Sequence, residues 1–324
     1  MKKIKIIFMG TPEFASHILK KLIGSDEIDI LAVVTAPDRQ AGRGRKIRKS
    51  DVKECAESNQ IKVLQPTNLK DPSFNCELER LGADLFVVVA FRMLPEMVWS
   101  MPAKGTINLH ASLLPNYRGA APINWAIING ETETGVTTFF IEKQIDTGEI
   151  LEQRKTVIDP NETVGGLYNR LMELGATTTL STIVAIKNDT IESFPQEIPK
   201  TDQRLPSAPK IFKDDCQISF NQEAKQVHNF CRGLSPYPGA WFQLLDDSSR
   251  VIKGMKVLLT LLTDRKANSN SKSILIENGQ IFLRCADRYI EVVELQPEGK
   301  RRMSSSEFLA GNSLDGQSIN VKQE

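Results

Sequence analysis

The stretch Leu85-Phe86-Val87-Val88-Val89-Ala90 decides the fold of this 324-residue chain. It is an unbroken apolar run, which is typical of a strand in a parallel sheet that is covered on both faces. Further short apolar runs occur at 4–8, 28–34, 106–109 and 136–141. Helical patterns separate them, the first with Thr11 as its predicted N-cap and Pro12 as its first helical residue. This alternation predicts an α/β domain with a Rossmann-like, mostly parallel sheet.

The second half of the chain has a different character. Prolines mark a stiff connector between residues 193 and 213, at Pro195, Pro199, Pro206 and Pro209. Short β-like runs at 241–245, 256–262, 274–276, 281–285 and 289–295 then suit a small barrel or sandwich. Ser304 and Glu307 have the spacing of a capping box at the start of a late helix. We therefore predict a catalytic domain over 1–192, a connector over 193–213 and a β-rich domain over 214–324.

The composition limits the partners and the compartment. A net charge of +1 gives no strong overall attraction to nucleic acid, so a polyanion would have to bind a local basic cluster. No apolar run approaches the ~18 residues of a membrane span, and the charged, short start is unlike a signal peptide. The five cysteines form no CxxC pair. This favours a reducing, cytoplasmic location and gives no reason to expect a metal.

The region from residue 105 to 151 carries the candidate chemistry. Asn108 and His110 lie two residues apart near a predicted strand end, so their side chains should point the same way. Carboxyl ends of parallel strands border the ligand crevice in such sheets. An amide and an imidazole suit a developing oxyanion, and Asp146 from a later loop could orient the imidazole. These three residues could together manage a tetrahedral intermediate and the proton of an attacking amine.

A structural role is the alternative for each of these residues. A histidine near a strand end is often a hydrogen-bonded structural residue, and Asp146-Thr147-Gly148 could be an ordinary turn. The other histidines have simpler explanations, since His17 is expected on a helix surface and His228 within a packed helix. Spacing alone leaves the catalytic and the structural hypotheses open.

Several motifs in order resemble a known family. The signature of the 10-formyltetrahydrofolate-dependent formyltransferases is similar to three stretches here: Asn108-Leu109-His110-Ala111-Ser112-Leu113-Leu114-Pro115, Tyr117-Arg118-Gly119-Ala120-Ala121-Pro122 and Asp146-Thr147-Gly148. Three other stretches resemble the branch that formylates methionyl-tRNA. They are Phe8-Met9-Gly10-Thr11-Pro12-Glu13-Phe14-Ala15, Pro37-Asp38-Arg39-Gln40-Ala41-Gly42-Arg43-Gly44 and Leu295-Gln296-Pro297-Glu298-Gly299-Lys300 with Met303-Ser304. The resemblance covers nearly the whole chain.

The resemblance implies formyl transfer from 10-formyltetrahydrofolate to charged initiator tRNA. We expect no metal, since no His/Cys/carboxylate ligand cluster is visible in the sequence, and we expect a monomer. It assigns catalysis to Asn108, His110 and Asp146, and makes the second domain an OB-like barrel that helps to hold tRNA. It assigns the folate site to two segments: Ser112, Leu113, Leu114, Pro115 and Phe91, Arg92, Met93, Leu94. Without it, Phe91, Met93 and Leu94 would be interpreted as core. Two departures are the loop 91–95, where many relatives have a Tyr-Gly pair, and Phe220, where Trp is commoner.

A basic segment supplies the predicted contact with tRNA. Residues 39–49 contain six cations and no acid, so they would attract backbone phosphates. The resemblance implies that this insertion reaches the acceptor arm, with Arg43 important. The candidate tRNA-binding residues are Arg39, Arg43, Arg45, Lys46 and, in the connector, Lys210. A solvated charged loop is the alternative.

Three rival functions remain at this stage. A formyltransferase for a small amine, such as glycinamide ribonucleotide or an amino sugar nucleotide, would need neither the basic insertion nor the second domain. A non-catalytic tRNA-binding protein would not need Asn108, His110 and Asp146. A nucleotide-dependent oxidoreductase is disfavoured because Gly10-Thr11-Pro12 is not G-x-G-x-x-G, and Glu13 stands where a pyrophosphate would sit.

Overall fold

The computed structural model describes residues 3–41, 46–197, 204–314 and 316–319. The chain divides into two compact units. The first comprises Met1–Gly119, Gly135–Thr156 and Asn169–Pro206, and the second Ala120–Thr134, Val157–Tyr168 and Ser207–Glu324. Stretches 120–134 and 157–168, which precede the connector in the sequence, thus belong to the second unit. Among the helices of the described ranges, none is long and apolar enough to cross a membrane.

The first part of the chain alternates strands and helices, as its apolar runs predict. The strands are β1 (Ile4–Gly10), β2 (Ile28–Val34), β3 (Arg39–Ala41), β4 (Lys46–Arg48), β5 (Val63–Leu64), β6 (Leu85–Val89), β7 (Thr106–His110), β8 (Arg118–Gly119), β9 (Glu133–Phe140) and β10 (Ile150–Val157). The helices are α1 (Glu13–Ile23), α2 (Asp51–Ser58), α3 (Pro72–Leu81), α4 (Glu96–Trp99), α5 (Pro122–Ile128) and α6 (Val164–Lys187).

The main sheet has the strand order β10-β9-β7-β6-β1-β2-β5. The pairs from β7 through β6, β1 and β2 to β5 are parallel, and β9 joins β7 antiparallel. All five residues of β6 are buried, so the central strand is covered on both faces as predicted. This arrangement aligns the carboxyl ends of β1, β6 and β7 along one edge of the sheet.

The two faces of this sheet bury different side chains. On one face, Met9 and Val88 belong to a core cluster with Leu78 of α3 and Val98 of α4. On the other face Leu109 approaches Gly175 of α6 so closely that an added Cβ would lie 2.8 Å from its Cδ2 atom. Neighbouring residues in a strand face opposite ways, so Asn108 and His110 lie on the face away from α6.

The predicted start of α1 is wrong by one residue. The helix begins at Glu13, and Pro12 rather than Thr11 is its N-cap. The ψ angle of Pro12 is 176°, which is extended, and its carbonyl accepts the first helical hydrogen bond from Ser16 N at 3.1 Å. The cap therefore relies on the fixed φ of proline, without a side-chain hydrogen bond.

The second unit contains an antiparallel sheet of the predicted short strands. Its later elements are β11 (Ser207–Ala208), β12 (Ala240–Leu245), β13 (Val251–Lys266), β14 (Ile274–Glu277), β15 (Gln280–Arg284), β16 (Arg288–Pro297), β17 (Met303–Ser304), β18 (Ser318–Ile319), α7 (Ala224–Gly233) and α8 (Ser305–Leu309). The main strand order is β14-β15-β16-β13-β12-β18. Phe220 is buried against Phe242 with ring centroids 5.7 Å apart. The capping box of Ser304 and Glu307 is confirmed.

Candidate active site

The carboxyl end of β7 presents an amide beside an imidazole. Asn108 lies in register with Val88 of β6 and Phe139 of β9, and His110 with Thr137. His110 is buried, whereas Asn108 is half-buried. Within the described part of the chain, the Asn108 side chain makes no hydrogen bond. Its amide is thus free to donate to a ligand.

A backbone carbonyl fixes the tautomer of His110. The Nε2 atom lies 2.8 Å from the carbonyl oxygen of Tyr117. A carbonyl only accepts, so Nε2 carries the hydrogen and donates it, and Nδ1 of the neutral ring keeps its lone pair. Tyr117 has a φ of +59°, an uncommon backbone conformation for a residue with a side chain. This conformation turns the Tyr117 carbonyl toward the imidazole.

Asp146 lies beside the free nitrogen of His110. Its Oδ2 atom is 3.9 Å from His110 Nδ1, too far for a hydrogen bond, and accepts one from Gly119 N at 3.0 Å. The loop is tightly constrained, because Asp146 has a φ of +55° and a Cβ on Gly148 would lie 1.7 Å from the Phe140 carbonyl oxygen. The carboxylate is thus placed to face a proton gained by Nδ1.

The predicted folate segment 112–115 follows β7 directly. Ser112 is fully buried, and its hydroxyl donates to Asn116 O at 2.7 Å. Thr137 Oγ1 donates to Ser112 O at 2.6 Å, and Leu114 packs in a small core. Leu113 and Pro115 keep partial exposure. A ligand could therefore contact these last two side chains, whereas Ser112 and Leu114 shape the loop from within.

The predicted pterin loop 91–94 follows the end of β6. Leu94 and half-buried Phe91 pack into the core, while Met93 is 71% exposed. The guanidinium of Arg92 donates to the carbonyls of Pro66 and, at 3.0 Å, Thr67. Burial, and to a lesser degree the charge of Arg39, lowers the pKa of Arg92. Two carbonyls thus hold Arg92 in the loop.

Within the basic segment β3 and β4 pair antiparallel, with Arg39 opposite Arg48 and Ala41 opposite Lys46. Arg39 is exposed. Arg43, Arg45 and the side chain of Lys46 lie outside the described residues. In the second unit, exposed Lys210 has its Nζ atom 5.1 Å from the ring centroid of Phe212.

Sequence reasoning missed the residues that hold Asp38, which lies directly before β3. Lys53 Nζ donates to Asp38 Oδ2 at 2.7 Å and to Gln65 Oε1 at 2.8 Å. The hydrogen bond from Lys53, then the one from Gln65, lowers the pKa of Asp38. These residues lie up to 27 positions apart, and no local pattern marks them. Gln196, which bonds the Asp146 loop, was missed for the same reason.

The comparisons with known proteins cover both units. The formyl transferase family model matches residues 2–183, and the model of the formyl transferase C-terminal domain matches residues 210–313. A methionyl-tRNA formyltransferase of Flavobacterium johnsoniae is 47% identical over 96% of this chain and 97% of its own. Another, of Bacteroides thetaiotaomicron, is 44% identical over 99% of this chain and 100% of its own.

The fold is also similar to that of solved structures. The N-formyltransferase of Helicobacter canadensis, in complex with folinic acid and dTDP-3-aminofucose, superimposes with a TM-score of 0.61. It covers 89% of this chain and 98% of its own, with 22% sequence identity. At that identity the likeness concerns the fold alone.

Proposed function

This chain belongs to the formyltransferase family, and we propose that it transfers the formyl group of 10-formyltetrahydrofolate to the α-amino group of methionine on initiator tRNA. The observation that carries the proposal is the convergence of Asn108, His110 and Asp146 at one strand end. The sequence identity of 44–47% to methionyl-tRNA formyltransferases, over nearly the whole chain, supports the choice of acceptor.

The proposed reaction is an acyl transfer between two nitrogens. The neutral α-amine attacks the formyl carbon, the new C–N bond forms, and the carbonyl oxygen becomes an oxyanion. The bond from carbon to N10 of the folate then breaks, the amine loses a proton and N10 gains one. We assign the oxyanion to the Asn108 amide, which is free to donate from a rigid strand end.

His110 and Asp146 manage the proton in this proposal. Because His110 Nε2 donates to Tyr117 O, the atom available for proton exchange is Nδ1. Asp146 Oδ2, at 3.9 Å, stabilises the imidazolium once Nδ1 is protonated. A protonated Nδ1 is also a second donor near the oxyanion.

The loops after β6 and β7 and the basic segment supply the substrate contacts in this proposal. We infer that the folate lies against the loops 91–94 and 112–115, because both follow strand ends at the same edge of the sheet. We infer that Arg39, Arg43, Arg45, Lys46 and Lys210 contact tRNA phosphates. Charged initiator tRNA is a cytoplasmic molecule, so we propose a cytoplasmic location for this protein. We further propose that it is a monomer with a catalytic domain over 1–192, a connector over 193–213 and a tRNA-binding domain over 214–324.

The decisive experiment offers labelled 10-formyltetrahydrofolate with three acceptors: charged initiator tRNA, glycinamide ribonucleotide and an amino sugar nucleotide. We expect formylation of the tRNA in preference to both small amines. The variant His110→Ala should lose turnover by at least about a hundredfold while folate binding survives. Preference for a small amine would refute the acceptor, and wild-type turnover of His110→Ala would refute the mechanism.

A further inference from the structure

The side chain of Gln196 joins the two segments that set the geometry of His110 and Asp146. Its Nε2 atom donates to the carbonyl oxygens of Asp146 and Gly148, each at 2.9 Å. Its Oε1 atom accepts from Arg118 Nε at 3.1 Å and also from Arg118 Nη2. Arg118 stands between the residue whose carbonyl holds His110 and the one whose amide holds Asp146.

The partners of Gln196 require an amide. Two backbone carbonyls only accept, so both hydrogens of the NH₂ group are used. A guanidinium only donates, so the amide oxygen must face Arg118. A carboxylate at this position would repel the two carbonyls, and an ammonium would repel Arg118. Half-buried Gln196 therefore has one orientation in which every polar atom is satisfied.

The segment that carries Gln196 is itself held against the sheet. Phe194 and Ile150 exchange backbone hydrogen bonds of 3.0 and 2.8 Å, and Ser193 Oγ donates to Glu149. These contacts bring Gln196 to the Asp146 loop without the help of its own side chain. Removing the Gln196 amide should thus leave the segment in place and release only the loop.

We propose that Gln196 is a positioning residue that fixes Asp146 relative to His110. The inference rests on the proposed function, because Asp146 matters only if His110 exchanges a proton. The backbone of Asp146 is in a left-handed conformation, and the Gln196 side chain ties it in place by a hydrogen bond to the Asp146 carbonyl. Without that tie the 3.9 Å separation between Oδ2 and Nδ1 would vary, and the imidazolium would be stabilised less.

The test compares Gln196→Met with the wild type and with Ser193→Ala in tRNA formylation. Met keeps the length of the side chain and removes its hydrogen bonds, whereas Ser193→Ala removes the contact of the same segment with Glu149 and leaves the hydrogen bonds to the carbonyls of Asp146 and Gly148 intact. We expect kcat of Gln196→Met to fall about tenfold, since small displacements of catalytic groups are costly. KM for both substrates should stay within about twofold, because no ground-state contact is lost. Ser193→Ala should match the wild type.

Three outcomes would overturn the inference. They are an unchanged kcat for Gln196→Met, an equal loss in Ser193→Ala, and a loss of kcat accompanied by a matching rise of both KM values. If Gln196→Met does not fold, Gln196→Glu, which retains the acceptor for Arg118, takes its place with the same expectation. Absence of tRNA formylation by the wild type would refute the proposed function instead, so the two failures are distinguishable.

Discussion

At the scale of single residues, Asn108 offers the cleanest test of oxyanion stabilisation. In the described part of the chain its amide has no hydrogen-bond partner, so little native structure depends on it. We expect Asn108→Ala to lower kcat by roughly a hundredfold or more, the usual cost of removing an oxyanion donor. The thermal midpoint should stay close to that of the wild type. Single-turnover formylation and a thermal melt measure the two quantities.

The fate of folate binding separates this role from a binding role. An oxyanion donor acts in the transition state, so Asn108→Ala should leave the dissociation constant of 10-formyltetrahydrofolate nearly unchanged. A variant that retains more than about a third of the wild-type kcat would contradict the assignment. So would a loss of activity explained entirely by weaker folate binding.

At the scale of elements, the loop after β9 depends on a glycine for steric reasons. A Cβ at Gly148 would lie 1.7 Å from the Phe140 carbonyl oxygen, so Gly148→Ala must push the loop away from the strand. We expect a loss of about 1–3 kcal/mol in the free energy of unfolding, as for an overpacked site. The kcat should fall as well, because the Asp146 carboxylate moves with the loop. Chemical denaturation and initial-rate kinetics measure both effects.

A matched glycine serves as the control for that variant. Among the residues that the structure describes, none apart from its chain neighbours has a heavy atom within 4 Å of a Cβ built on Gly311, an exposed residue after α8. Gly311→Ala should therefore change neither stability nor kcat appreciably. Equal stability of the two variants would contradict the steric explanation.

The elements also show what a sequence can predict. Strands β1, β2, β6, β7 and β9 were predictable from their short apolar runs, whereas the polar strands β3, β4 and β10 were not. The shared face of Asn108 and His110 follows from the period of a strand. The tie from Gln196 to Asp146 was not predictable, since it joins residues 50 positions apart through a backbone carbonyl. The hydrogen bonds that hold Asp38 to Lys53 and Gln65 were not predictable either, since they also join residues far apart in the sequence. Local pattern encodes elements, whereas these contacts depend on the finished fold.

At the scale of a whole unit, His228 makes the stability of the second unit depend on pH. Its Nδ1 atom lies 2.8 Å from Thr260 Oγ1 and its Nε2 atom 3.3 Å from Pro160 O, within a buried site. Burial lowers the pKa of His228 below its usual 6.5. The unfolded chain therefore binds the proton more readily, and stability falls as pH drops below 6.5.

The variant His228→Gln isolates this contribution. Denaturation between pH 8 and pH 5 should show a loss of up to about 1.4 kcal/mol per pH unit below 6.5 in the wild type. The variant should be less stable at pH 8, where the neutral imidazole is fully hydrogen-bonded, and its stability should vary less with pH. An identical pH dependence in both proteins would show that another group is responsible.

For the whole molecule, the net charge of +1 means that tRNA binding must depend on local cations. Arg39 begins β3 directly after Asp38, which Lys53 holds, and exposed Lys210 lies beside Phe212 in the other unit. We expect Arg39→Ala and Lys210→Ala each to raise KM for tRNA and to reduce the slope of log affinity against log salt by about 1. In the double variant the salt slope should fall by about twice as much as in either single variant, because separate phosphate contacts release counterions independently.

A lysine outside the proposed tRNA contacts serves as the control for these variants. Lys70 is exposed and is not among the candidate tRNA-binding residues, so Lys70→Ala should leave the salt slope unchanged. The KM for 10-formyltetrahydrofolate should not change in any of these variants. An undiminished slope in the double variant would place the tRNA contacts elsewhere on the chain. A loss confined to one unit would mean that a single unit carries the electrostatic affinity, since counterion release counts every phosphate that a cation neutralises.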